Sequence, residues 1–433
     1  MLKKITLSLV KYVLTFCLLF ILSTSSLIAV AIIPKSAIHK NMLSSARYLS
    51  DAGMGNYLIG TIKATSTDQF ADALLLNIAY NYDEKNPLES IVWSAYSGDP
   101  SPEAGAFFLE SVEHGAAPDH EYLRYWHGSN VLIRPLHLIL DLKQIYILHA
   151  IVISLLTICL MIILIKNNCV AEAISILISM AAVSIWTVPF CLEFTWVFLI
   201  MLITAIVVVK LVLDNKEHHL GLAFFVSGII TAYMDFLTAE TLTFLIPILL
   251  VLRLKKHSNK SASSCWVLSM KCGIAWGIGY IGMWSSKWLL SAIVLRQDIM
   301  PYITDHIRQR QGGSFFGLSK GYFLNMYRNN IRRLFPLDYG LIGALIFLTF
   351  LILLFIPVYQ NRVRLKQSMD ASWISLYGFL FLVPFIRFLV MHSHSSGHYF
   401  FTFRALAASV LSFCFIIMEI IEPVQKKGGH SDG

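Results

Sequence analysis

Residues Tyr12 to Ile33 read YVLTFCLLFILSTSSLIAVAII, and Pro34 then opens a mostly polar stretch that lasts to about Lys143. The run is long enough to cross a hydrocarbon core as a helix, which takes about 20 residues. It follows Lys3-Lys4, and Ala29-Val30-Ala31 resembles a signal-peptidase site. Signal h-regions are shorter, about 7–15 residues, so the run is read as an uncleaved first span. The polar stretch behind it carries thirteen of the chain's 26 acidic residues. A transporter core joins its helices by short turns. A polar subdomain directly after the first span is instead a surface on which chemistry can be done beside the bilayer.

Working outward, apolar runs near 12–33, 144–165, 170–188, 193–213, 219–236, 239–254, 265–285, 339–358, 371–390 and 401–421 give about ten spans. The fold class is therefore all-α integral membrane, one polytopic domain over 1–433. It has an outer loop subdomain at 34–143 and a second outer segment at 286–338. Composition agrees: 56% of residues are hydrophobic, 14% are charged and the mean hydropathy is +0.66. Soluble domains carry about 25% charged residues. The net charge of +8 implies no nucleic acid, because the basic residues sit largely in short loops. Those loops (Lys3, Lys4, Lys11; Lys166; Lys210, Lys216; Arg253, Lys255, Lys256, Lys260; Arg362, Arg364, Lys366; Lys426, Lys427) alternate across the spans. The alternation predicts both termini in the cytoplasm of a plasma-membrane, multi-pass protein. The 286–338 segment is basic although it falls on the outer side, which asks for an anionic partner there.

The seven cysteines lie in or beside apolar runs and form no disulfide framework. Neither a fixed-period repeat nor an inverted-repeat pattern is visible. Motifs of the P-loop, HExxH and GxSxG kinds do not occur.

Four constellations carry candidate chemistry. In Thr67–Tyr80, Phe70, Ala73, Leu74 and Ile78 recur at helical spacing, so Thr67 or Asp68 starts an amphipathic helix. Asp68 is readable as an N-cap or as a general base or metal ligand, and the two roles are compatible. In Arg124–Leu136, Tyr125 and Trp126 suit the membrane interface. There His127 and Arg134 are candidates for an anionic headgroup, with snorkelling to lipid phosphate as the alternative for Arg134. Asp235 joins two apolar runs, where a charge faces a cavity or a partner unless the turn is exposed. Finally, His392, His394 and His398 precede Arg404, which enters an apolar run and needs a partner, expected among the acids of the first loop. Three histidines in seven residues also allow a zinc reading, without a fourth ligand at a fixed spacing. Gly273, Gly277, Gly279 and Gly282 predict close helix packing.

The patches Thr67–Tyr80, Tyr125–Leu136, Tyr233–Leu250, Trp276–Trp288 and His392–Leu406 resemble an uncharacterised polytopic family of Gram-positive surface-polysaccharide loci. The layout also resembles the GT-C class of membrane glycosyltransferases. That resemblance implies sugar donors carried on polyprenyl phosphate and an acid in the first outer loop, for which Asp51, Asp68 and Asp72 are candidates. The expected function is sugar transfer from such a carrier to a cell-surface glycan or lipid acceptor. Asp68 is the first candidate base and Asp235 the second. His127, Arg134, Lys287, Arg296, His398 and Arg404 are candidates for binding the substrate. A divalent metal is a possible cofactor, and membrane lipids are the surroundings. Rival readings are a flippase, exporter or polymerase of lipid-linked polysaccharide, and a non-enzymatic scaffold.

Overall fold

In lipid a chain has no water for its backbone N–H and C=O groups, so apolar runs must satisfy them internally as helix. The computed structural model of the protein describes residues 2–53, 55–98, 103–311, 319–360 and 370–421, and its regular secondary structure there is helical. The basic residues Arg362, Arg364, Lys366, Lys426 and Lys427 of the charge alternation lie outside the described residues. Among the described residues, six helical stretches are long and apolar enough to cross a membrane. They are Leu9–Ala31 of α1 (Leu2–Ala31), α7 (Leu142–Lys166), α9 (Leu192–Leu213), α12 (Ala262–Leu295), α16 (Ala371–Val390) and Tyr399–Ile421. The last comprises α18 (Tyr399–Thr402), a 3₁₀ turn, and α19 (Ala407–Ile421). This is the architecture of a multi-pass membrane protein.

The other segments read as spans are helical too: α8 (Val170–Ala182), α10 (Leu220–Met234), α11 (Leu242–His257) and α15 (Gly340–Gln360). At 1.5 Å per residue α8, α10 and α11 reach only about 20–24 Å, short of a core of about 30 Å. α11 is nonetheless the most enclosed of them, buried from Leu245 to Lys255.

The polar subdomain is a small helical cluster of α2 (Lys35–Ala52), α3 (Gln69–Tyr80), α4 (Pro87–Trp93), α5 (Ala104–His114) and α6 (Asn130–Leu136). Ile38, Met42, Leu49, Leu76 and Phe108 form its core, which continues into Ile145 of α7 and Trp196 of α9. Apolar burial of this kind is worth about 1.5–3 kcal/mol per large side chain, so no disulfide is needed. Gly105 lets α5 approach α2, since a Cβ there would stand 2.6 Å from the Leu49 carbonyl oxygen.

α12 is longer than the sequence indicates. It runs 34 residues, about 51 Å, and so projects beyond the bilayer into the region read as a loop from 286. The projecting turn is held by Lys287, whose buried amine donates to the carbonyls of Ile91 (2.9 Å) and Val92 (2.7 Å) at the end of α4. Within the bundle α10 and α12 meet backbone to backbone: a Cβ on Gly228 would strike Trp276 O, and one on Gly279 would strike Phe225 O. Of the α12 glycines read as a packing stripe, Gly279 fulfils the role, while Gly277 faces open space.

Three short helices complete the pocket end: α13 (Met300–Gln311), α14 (Lys320–Ile331) and α17 (His392–Gly397).

Candidate functional site

A cavity of about 270 Å³ opens where the polar subdomain meets the bundle, lined by Asp68, Arg124, His127, Glu193, His394 and His398 among other residues. Each side chain is placed by a local device. Asp68 caps α3, accepting a 3.0 Å bond from Ala71 N–H. Glu193 stands in the first turn of α9. Both carboxylates thus sit at helix N-termini, where free N–H groups favour negative charge. They face each other closely enough to share a hydrogen bond. Burial pushes the Asp68 carboxyl above its ordinary range, against the bonds from Ala71 and Glu193 that pull it down.

Asp72 lies one turn along α3 and does different work. Its carboxylate accepts from Leu192 N–H at 2.9 Å and from the Tyr146 hydroxyl, and so caps α9 from a neighbouring helix. Burial pushes it up to about 7 in spite of those bonds. Asp51, the third acid of the subdomain considered, lies exposed on α2, near its C-terminal end.

The wall carrying Arg124 and His127 is strapped to the bundle. Trp284 Nε1 donates to Arg124 O (2.8 Å), Trp126 Nε1 to Met283 O (2.7 Å) and Gly128 N to Tyr233 O (3.0 Å). His127 adopts a left-handed φ of +54°, uncommon for a residue with a Cβ, between these fixed points. Its ring is buried and neither nitrogen has a hydrogen-bond partner of ordinary geometry. Burial, with Lys287 and Arg124 nearby, holds it well below the usual histidine range, so it is neutral. The Arg124 guanidinium lies over the Tyr122 and Tyr125 rings at 5.0 and 5.1 Å and donates to Tyr122 Oη at 2.8 Å; its buried Nε has no partner.

The opposite wall is α17 with the turn from Asp235 to Thr241. Leu237 there has φ +68°, a strained conformation for an aliphatic residue. It is held by its neighbours. Arg387 donates to Leu237 O (2.9 Å) and pairs with both oxygens of Glu240 (3.0 Å each), and His394 Nε2 meets the same carbonyl at 2.9 Å. Asp235 folds the turn by accepting from Leu237 N–H, Thr238 N–H and Thr238 Oγ1. Burial, then Glu240, pushes it up to about 7.

Of the residues singled out from sequence, Asp68, His127, His394 and His398 share the cavity. Asp235 lies behind Phe236 as a turn-former. Arg404 is buried beside the cavity floor, 4.1 Å over the Phe194 ring, with Nη1 donating to Phe400 O and with Nε and Nη2 unpartnered. The acid near it is Glu193, not one of the first loop. Arg134 is held inside the subdomain by carbonyls of Ile33 and Ala79 and does not face lipid. Lys287 is committed to the end of α4, and Arg296 is exposed at the C-cap of α12. Sequence reasoning missed Glu193 and Arg124. Glu193 was hidden as the first residue of a span, although an acid at that depth is itself a signal. Arg124 was overlooked in favour of Arg134, ten residues on.

A second donor group lies at the other end of α11, where atoms of Cys169, Glu172 and His257 fall within 4.8 Å of one another. Glu172 there already accepts from Arg253 and His257, and a fixed guanidinium repels a cation. Asp68 and Glu193 offer oxygen ligands of the kind a hard divalent ion takes, with Arg124 and Arg404 as the neighbouring cations there.

Compared with known protein families, curated proteins and solved structures, the chain finds no match to any.

Proposed function

We propose that the protein is a membrane glycosyltransferase of GT-C type, moving a sugar from a polyprenyl-phosphate carrier to a glycan or lipid acceptor at the outer face. The observation that carries this reading is the half-buried Asp68–Glu193 pair in a cavity that also presents the neutral ring of His127 and Arg124, whose Nε has no partner. Asp68 takes the proton of the acceptor hydroxyl as its oxygen attacks the anomeric carbon, and the carrier phosphate leaves with the bonding electrons. Glu193 keeps Asp68 basic by holding charge or proton beside it. Arg124 balances the phosphate. A donor bound this way needs no path through the bilayer, which separates the enzyme from the flippase and exporter readings. The strained Asp235–Thr241 turn and its Arg387 clamp keep the histidine wall fixed, so binding energy is not lost in ordering it.

Orientation belongs to the same proposal. The basic end of α11 (Arg253, Lys255, Lys256) and the cavity lie at opposite ends of that helix, so the positive-inside rule puts the cavity outside. A cysteine at exposed Ala117 is then labelled by an impermeant reagent, and one at Ser258 is not; the reverse pattern removes the outer-face assignment. The activity test is transfer of radiolabelled sugar from a polyprenyl-phosphate donor by purified protein. Loss of transfer in both Asp68→Asn and Glu193→Gln is expected. Wild-type rates in both overturn the proposal.

A further inference from the structure

A larger cavity, of about 490 Å³, lies between α8, α15, α16 and α19 and shares no lining residue with the acid cavity. Its walls are apolar, and the lining hydroxyl, Ser409 Oγ, donates to Phe381 O (2.8 Å). The groove opens sideways: Ile346, Phe347 and Phe350 of α15 line it and are still 41%, 37% and 38% accessible. Its mouth is the chain between α14 and α15, where Phe335 N–H donates to Ala182 O at the end of α8 (2.7 Å). Trp186 packs edge-on to Phe335 and Tyr339 there, and such rings mark the headgroup level of a bilayer. From that level the deepest lining residues are Phe350, ten residues into α15, Phe381, nine before the end of α16, and Cys414, seven into α19. At 1.5 Å per residue the groove is about 10–15 Å deep, which is one leaflet of a core about 30 Å thick.

Two cations stand at the mouth. Arg328 and Arg332 lie one turn apart at the end of α14, both exposed, beside Ile331, which lines the groove. Among the described residues no acid pairs with either of them, whereas the adjacent Arg333 pairs with Asp338 (2.9 Å). Both belong to the basic 286–338 segment and still lack its anion. We infer that the groove is a binding site for an anionic phospholipid of the leaflet on the acid-cavity side, with its phosphate on Arg328 and Arg332 and one acyl chain between α15 and α19. Charge complementarity sets the headgroup, because guanidinium forks match phosphate oxygens. Depth sets the tail. A groove one leaflet deep suits an acyl chain and is too short for a partner's spanning helix, which needs about 30 Å. Tail carbons also supply the dispersion contacts that an unfilled lining forfeits. The site stands independently of the glycosyltransferase reading.

The test uses the full-length protein in nanodiscs of dioleoyl phosphatidylcholine, with lipid retention read by native mass spectrometry. The probes are dioleoyl phosphatidylglycerol, glycerophosphoglycerol, which is its headgroup without tails, and a polyprenyl monophosphate. The wild type should retain phosphatidylglycerol at least about tenfold over phosphatidylcholine, the worth of two basic residues at an anionic headgroup. Arg328→Gln combined with Arg332→Gln should erase that preference, and both positions are exposed, so the fold should hold. Ala181→Phe puts a ring into the groove and should lower retention of both phospholipids. Where Ala181→Phe does not fold, phosphatidylglycerol with a diazirine on its acyl chain reads the tail in the wild type, and should label residues 341–350 and 407–414. An unchanged preference in the double arginine variant overturns the inference. So does unchanged retention in folded Ala181→Phe, or labelling that misses both stretches. Displacement by glycerophosphoglycerol would reduce the site to a headgroup anion site, and displacement by an equal concentration of the polyprenyl phosphate would assign it to another lipid. A dimer that Ala181→Phe abolishes would show the groove covered by a second copy of the chain. Each of these three outcomes also overturns it.

Discussion

Among the described residues, buried charged groups gather at both ends of α11, and on opposite terms. At the basic end, Arg253 donates to Glu172 (3.0 Å) and Glu419 (2.7 Å), Lys256 also reaches Glu419, and His257 meets Glu172 at 2.9 Å. None of these charged atoms is left without a partner. At the other end, Arg124 Nε and Arg404 Nε and Nη2 are buried without one. Burial of charge costs several kcal/mol per ion unless partners repay it. A closed cluster repays it within the fold and serves as a clamp between α8, α11 and α19. An open one is repaid by a ligand, and perturbed groups of that kind collect at functional sites.

The comparison breaks most sharply on Asp68 and Glu193. Asp68→Asn keeps the cap on α3, because asparagine is as good an N-cap as aspartate, so the melt should hold. Transfer should fall about 10²–10⁴-fold, the usual worth of a positioned base. Full transfer with an intact melt would place the open cluster in the same class as the closed one. Arg253→Ala should do the reverse, lowering stability by about 3–5 kcal/mol because Glu172 and Glu419 stay buried, lose their guanidinium and keep only His257 and Lys256. A thermal or denaturant melt in detergent reads this, and an unchanged midpoint would show that the basic cluster is not a clamp.

The next effect is of pH. Asp68 acts as a base only when ionised, and its folded value is raised by burial. Transfer should therefore climb with pH through a range above that of an ordinary aspartate, about 3.9, then level off. Below that range the rate should fall about tenfold per unit of pH. An acid limb at the ordinary carboxylate position would show that Asp68 is not the titrating base.

Lys287 sharpens the distinction between a binding cation and a tie. Lys287→Met removes its bonds to Ile91, Val92 and, at 3.4 Å, Ser94. The melt should drop by about 1–3 kcal/mol, the cost of buried acceptors left bare, with lipid-phosphate affinity unchanged. The smallest effect belongs to exposed residues: Arg296→Ala and Asp51→Asn should leave both the melt and transfer unmoved within error.

The histidine segment shows how a pattern in sequence divides on folding. His394 of α17 and His398 at its C-cap line the cavity, with ring centroids 4.8 Å apart, while His392 packs beside Tyr322. Spacing alone does not tell these three apart, because their directions depend on where a helix of six residues starts. The turn at Asp235 is similar. An acid between two apolar runs announces a partner, but Asp235 finds it in the local N–H groups of Leu237 and Thr238. The long-range ion pair falls to Glu240 and Arg387, 147 residues apart.

Sequence by itself determined that this chain is helical and lives in a membrane, because backbone polar groups in lipid have no other satisfaction and apolar runs are counted directly. It also marked the polar subdomain, and it marked Asp68, since an N-cap is a local bond between a side chain and an N–H three residues on. Tertiary structure alone decided that Glu193 faces Asp68, that Arg124 rather than Arg134 lines the cavity, and that Lys287 ties down α4. Those outcomes depend on which helices cross and how far α12 projects. Crossing is set by contacts between residues far apart in the chain, such as Gly228 against Trp276. No window of sequence contains both partners of such a contact, so no local reading yields it.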